Sequence, residues 1–126
     1  MNNYDRRDCN MIKRANEMTS TVKVNMRGGD GQAVVTDILN KGEYKGSARL
    51  LGTILLEPGC SIGAHVHENE EEVFYVIEGT ATYDDNGKTE ILHQGDSCLC
   101  LGGQKHSIAN REKEGNLVVF AAILTY

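Results

Sequence analysis

No stretch of the 126-residue chain approaches the roughly 20 consecutive apolar residues of a membrane-spanning helix. Its first residues, Met1-Asn2-Asn3-Tyr4-Asp5-Arg6-Arg7-Asp8, lack the apolar core of a secretory signal, which makes the cytosol the expected location. Proline occurs once, as Pro58, against fourteen glycines and five tyrosines, and the apolar runs are short. That combination disfavours long helices and predicts many turns and strands. Lys and Arg number 13 against 18 Asp and Glu, for a net charge of −5 with the acidic residues spread out. This suits a soluble protein and argues against nucleic acid or a membrane surface as the main partner. Cysteine is sparse: Cys9, Cys60, Cys98 and Cys100. A chain of this size, well supplied with aliphatic residues, needs no disulfide framework. Cys98 and Cys100 lie two apart on a predicted strand, where a bridge between them would be strained. The cysteines read as reduced, small buried hydrophobes.

The length matches one compact domain that buries roughly two-thirds of its unfolded surface. Residues 1–20 are expected to form an N-terminal arm, mobile over its first ten positions, and residues 21–126 the domain. Met11, Ile12, Ala15 and Met18 are spaced for either a short helical turn or an irregular segment. Val22, Val24 and Met26 alternate with polar residues, which predicts a half-buried strand ended by Gly28-Gly29-Asp30-Gly31. Further strands are predicted over residues 33–39, 48–56, 73–77, 80–83, 89–92, 97–101 and 117–124, with a core strand at 48–56 closed by Glu57-Pro58-Gly59. Asn86-Gly87 marks a tight hairpin. Roughly ten short strands without a convincing helix predict a closed or double-sheet antiparallel fold.

Histidine carries the chemistry. His65 and His67 are two apart, so on an extended segment both imidazoles point to one face. Val66 should then pack on the opposite face. Glu72 opens the next apolar run, and a hairpin between the two segments would bring three ligands together. A third histidine, His106, follows in Gly95-x5-Leu101-x-Gly103-x2-His106-x3-Asn110.

Gly59, His65, His67, Glu72 and Gly79, followed by Gly95, Gly103, His106 and Asn110, resemble the paired motifs of the cupin superfamily. Leu101 stands where that family usually has proline, and the short spacing over residues 80–94 is similar to small single-domain bacterial members. The resemblance implies an all-β jelly-roll barrel, a metal held near one mouth by His65, His67, Glu72 and His106, and a homodimer. Three imidazoles and a carboxylate suit Mn, Fe, Ni, Co or Zn, and the absence of thiolate ligands disfavours a closed structural zinc site. An octahedral ion would keep two positions for a small molecule. The duller readings place His93 on the surface, Glu68, Glu70 and Glu71 in a solvated acidic loop with Glu71 as the substitute ligand, Asn110 in a turn, and Phe74, Tyr75 and Ile108 along the barrel lining.

The family resemblance implies a metal-dependent enzyme on a small polar or carboxylated molecule, of the dioxygenase or other oxidoreductase, decarboxylase or isomerase class. No motif marks a catalytic acid or base, so catalytic residues stay unassigned. The alternative is a non-catalytic cupin module that binds a small ligand or metal. One fold hosts many reactions, and the motifs do not choose among them.

Overall fold

The computed structural model describes residues 11–126. The expectation of a mobile arm over residues 1–10, and Cys9 with it, falls outside the described residues. Ala15–Glu17 forms one 3-10 turn, and the strands begin directly after it. They are β1 (Thr19–Val24), β2 (Gln32–Leu39), β3 (Ala48–Leu56), β4 (Ser61–Val66), β5 (Glu70–Glu78), β6 (Ala81–Asp85), β7 (Lys88–Leu92), β8 (Ser97–Cys100), β9 (Lys105–Ala109) and β10 (Leu117–Thr125).

Among the described residues they form two antiparallel sheets, β1-β2-β3-β10-β5-β8 and β4-β9-β6-β7. Alternation along the strands sends one apolar row inward from each sheet. Ala33, Val35, Ile54, Leu56, Phe74, Val76, Leu117, Val119 and Ala121 come from the larger sheet; Ile62, Ala81, Tyr83 and Ile108 come from the smaller. This is the jelly-roll barrel that the strand pattern and the motifs led us to expect. The two-residue turn at Asn86 and Gly87, both left-handed, joins β6 to β7 with Asp85 opposite Lys88. That is the conformation an Asn-Gly pair adopts at little cost.

Several local expectations are corrected. The His-x-His segment and the Glu72 segment do not pair as a hairpin: β4 pairs with β9 in one sheet, and β5 lies between β10 and β8 in the other. The strand predicted over 22–26 stops at Val24 and is exposed throughout, with Val22 and Val24 on an outer face. Met26 begins a separate 3-10 turn instead. Val66 and Tyr75 point outward into solvent, 43% and 45% exposed, because the side of each sheet away from the core is not covered by another layer among the described residues. Phe74 and Ile108 are buried as expected. Asn110 makes the turn hydrogen bonds expected of it and is buried: its Nδ2 donates to the carbonyls of Leu56 and Gly115 while its Oδ1 accepts from the Glu112 amide.

The loop between β1 and β2 folds back over β4. The Ser61 amide donates to the Asp30 carbonyl at 2.9 Å, and the Asp30 amide donates to the Ser61 hydroxyl at 2.8 Å. The two backbones meet at glycines: a Cβ on Gly63 would lie 2.1 Å from the Arg27 carbonyl oxygen, and one on Gly29 would lie 2.2 Å from that of Ser61. Only residues without a side chain permit that approach. Gly63→Ala should therefore destabilise the barrel by about 1–3 kcal/mol, read by chemical denaturation, because backbone and not a flexible side chain must give way.

Candidate metal centre

His65, His67, Glu72 and His106 converge on one point between the sheets. The residues arrive there from both sheets, β4 and β9 supplying His65 and His106 as direct cross-strand partners. A bulge makes this possible. Ile62 faces Ile108 and His65 faces His106, so β4 carries one more residue than β9 over the interval. The extra residue lets both Ile62 and His65 point inward, which simple alternation forbids. His67 follows just beyond the end of β4 and is buried. Glu72 enters from β5 on the same inward row as Phe74 and Val76. Phe74 lies parallel to the His106 ring, 5.3 Å between centroids, so the hydrophobic core is also one wall of the site.

The outer nitrogen of each imidazole is engaged. His65 Nδ1 donates to the Gly63 carbonyl at 2.7 Å, and a carbonyl can only accept. His67 Nδ1 donates to the Glu70 carboxylate at 2.6 Å. His106 Nδ1 meets the Tyr83 hydroxyl at 2.9 Å. The first two contacts assign the proton of each neutral ring to Nδ1 and leave Nε2 as a bare lone pair. Those Nε2 atoms nevertheless crowd together: His65 to His67 3.2 Å, His67 to His106 3.2 Å, His106 to His65 3.1 Å. Glu72 Oε1 adds a fourth acceptor, 3.0 Å from His67 Nε2 and 3.1 Å from His106 Nε2. Acceptors so close repel one another unless positive charge sits among them.

The donor set fits a divalent transition-metal ion. Bonds of about 2.1–2.2 Å at right angles separate neighbouring donors by about 3.0–3.1 Å, whereas tetrahedral angles spread them to about 3.5 Å. The observed 3.0–3.2 Å edges match the first case. Oε1 is close to His67 and His106, and all four donor atoms lie within 4.8 Å of one another. These four residues would hold such an ion, and a metal there would supply a Lewis acid for a small molecule reaching it.

Of the remaining candidates, His93 is exposed on the surface, as expected, and Glu71 lies outside the cluster. Glu70 is a correction. It is not part of a solvated loop but the first residue of β5, on the same face as Glu72, and its carboxylate bridges His67 to Arg49. Arg49 Nε and Nη2 grip the two oxygens at 2.7 and 2.8 Å, a paired geometry that holds the carboxylate against His67 Nδ1. Parity with Glu72 was the available signal in the sequence. Tyr83 offered none, since its role depends on a cross-strand neighbour.

The electrostatics follow from these contacts. Burial pushes His65 toward its neutral form, against the pull of the Gly63 carbonyl, and nearby His106, His67 and Arg27 add to the downward shift. Without a metal His67 is raised, first by the hydrogen bond that its protonated ring, with a proton on Nε2 as well as Nδ1, makes to Glu72. Burial acts most strongly on Glu72 and works upward, yet in the metal-free site hydrogen bonds from the His106 and His67 rings, when these carry a proton on Nε2, hold its carboxyl below the usual value. Burial also lifts the Cys98 and Cys100 thiols to about 11, keeping them protonated near neutral pH, and all three described cysteines are free.

A cavity of about 470 Å³ opens onto the cluster, large enough for a small organic ligand. His65, His67 and Glu72 form part of its wall, with Thr21 and Lys23 from β1, Arg27 from the following turn, and Asp37 and Arg49 from β2 and β3.

Arg49 holds the Glu70 carboxyl down at about 2 from an ordinary 4.5. The ionised carboxylate is therefore the form that stabilises the fold. Its contribution is complete above pH 4.5 and disappears as the pH falls toward 2. With chelator present, Glu70→Gln should lower stability by about 1 kcal/mol at pH 7, and the difference from wild type should close progressively below pH 4.5, followed by denaturant melts.

A family model described as Cupin domain matches residues 52–123. The chain is 39% identical to the oxalate-binding protein of Thermotoga maritima over 100 residues, 79% of this chain and 83% of that one. A crystal structure of a predicted oxalate decarboxylase from Thermotoga maritima superposes with a TM-score of 0.86 at 36% identity, covering 92% of this chain and all of the other. The tetracenomycin polyketide synthase protein TcmJ of Streptomyces glaucescens is 30% identical over 103 residues, 82% of this chain and 66% of its own length. On the family match, the identities and the fold together, this chain belongs to the cupin family.

Proposed function

We propose that the protein holds one divalent transition metal through His65, His67, Glu72 and His106 and uses it to bind a small carboxylate. The observation that carries this reading is the set of three Nε2 atoms and Glu72 Oε1, neighbours 3.0–3.2 Å apart, beside a cavity of about 470 Å³. A bound metal would supply a Lewis acid that polarises the ligand's carboxylate. The chain's own residues do the rest. Gly63, Glu70 and Tyr83 keep the three imidazoles turned so that Nε2 faces the centre. Phe74, Ile54, Ile62 and Leu50 line the cavity with apolar surface, so polar contacts there are stronger than in water. The names of the Thermotoga maritima sequence and structure, oxalate-binding protein and predicted oxalate decarboxylase, favour a carboxylate of about that size.

Turnover is a second reading, favoured by Asp37, a carboxyl group on the cavity wall able to carry a proton. On that reading the protein is a decarboxylase or oxidase of small carboxylates; without turnover it is a binding module. A homodimer and a cytosolic location remain part of the proposal and are read by the size of the purified protein and by localisation of a tagged chain.

Metal analysis of protein purified without added metal should find about one transition-metal ion per chain. His65→Ala with His67→Ala should lose the ion and keep its far-ultraviolet circular dichroism, because the cluster borders a cavity and does not fill the core. Loss of fold with loss of metal would make the ion structural. Oxalate should then bind wild type and not the double variant by calorimetry, and incubation under air and under nitrogen separates the readings. Formate and carbon dioxide indicate a decarboxylase, oxygen-dependent hydrogen peroxide an oxidase, and binding without product the module.

A further inference from the structure

Arg27 occupies a conformation its side chain does not favour. Its φ of 55° and ψ of 29° are left-handed, and Asn25, two residues earlier, is left-handed as well. Asparagine and glycine enter that region readily, but arginine does so at a cost, and such outliers collect at ligand sites. The surroundings hold it there. The Asn25 amide donates to the Gly31 carbonyl at 2.8 Å, Asn25 Nδ2 to the Gly29 carbonyl at 3.0 Å, and the Gly28 and Gly29 amides to the carbonyls of Asn25 and Met26. Gly29 and Gly63 then seat the turn directly on β4, the strand that carries His65. A bent, closely packed loop is thus locked against the strand of the first histidine, with an arginine at its tip.

The destination of that arginine is the same cavity that exposes His65, His67 and Glu72. Two other cations share the wall, and their situations differ. Arg49 is occupied by Glu70 in a paired ion bridge. Lys23 is a flexible ammonium on the exposed strand β1. Arg27 has no carboxylate within ion-pair distance among the described residues, so its planar fork of donors is free for a ligand.

We infer that Arg27 selects the charge of the ligand: it receives the outward carboxylate oxygens of a small dianion whose opposite oxygens face the four metal donors. This rests on the metal-centre reading above and narrows it from carboxylates in general to dicarboxylates of oxalate or malonate size. A guanidinium pairs with two carboxylate oxygens at once, which a neutral isostere cannot offer.

The test uses full-length protein loaded with manganese, with metal content measured for each variant before titration. The probes are oxalate and oxamate, which have the same shape and the same chelating oxygens but differ by one negative charge. Arg27→Gln should keep its metal, lose about tenfold or more in oxalate affinity, and change by less than about threefold toward oxamate. Arg27→Lys should recover part of the preference for oxalate. Arg27→Gly, which relieves the left-handed backbone, should melt at or above the wild-type temperature while losing the same preference. An unchanged ratio of oxalate to oxamate affinity in metal-loaded Arg27→Gln overturns the assignment of Arg27 and leaves the metal centre standing. Arg27→Gly melting well below wild type would make the arginine structural and overturn it too. Wild type without metal would sink the centre, and this inference with it.

Discussion

Three imidazole Nε2 atoms and one carboxylate oxygen gather with neighbours 3.0–3.2 Å apart, and much of the barrel's inner architecture is arranged to make them do so. Neutral imidazoles left to themselves turn such atoms toward donors or water. Here the opposite nitrogen of each ring is captured first, by a carbonyl, by a carboxylate and by a phenol hydroxyl. Those outer contacts remove the freedom to rotate away, and the repulsion that remains is of the kind a cation in the middle would relieve. The centre is thus specified from outside inward, which is how metal sites gain both orientation and affinity.

The two-sheet barrel makes this convergence affordable in conformational terms. Three of the donors come from strands or strand ends of both sheets, and the fourth, His67, sits where β4 stops. Each backbone position is already determined by cross-strand hydrogen bonds and a buried apolar row, so ordering the ligands costs little additional entropy. Phe74 shows how closely the two roles are joined: it is fully buried core on one side and lies flat against His106 on the other. The bulge at Gly63 and Ala64 similarly serves several ends. It turns His65 inward, presents the carbonyl that orients its ring, and leaves room for the loop bearing Arg27.

Charge around the site is graded. Glu70 and Arg49 neutralise each other behind His67, and Glu72 is committed to the cluster. What faces the remaining cavity is Lys23, Arg27 and Asp37, a mixed rim with an excess of positive charge. That balance, on a chain whose overall charge is −5, concentrates attraction for anions at one opening.

The sequence by itself determined the class of fold and singled out the four residues that the structure brings together. Period-two alternation, punctuating glycines and the Asn86-Gly87 turn are local signals, and each acts within a few residues. His65, His67, Glu72 and His106 were legible because their spacing follows a recurring pattern. The tertiary structure decided which strands meet. No local rule indicates that β4 turns to β9 and β5 to β10, since antiparallel partners are selected by the packing of whole apolar faces. For the same reason Val66 and Tyr75 were misplaced: alternation orders two faces, but only the assembled sheets determine which face stays open to solvent. Glu70 and Tyr83 acquire their contacts from neighbours distant along the chain. Arg49 lies 21 residues from Glu70, and Tyr83 lies 23 from His106. Contacts across such separations exist only once the barrel has closed.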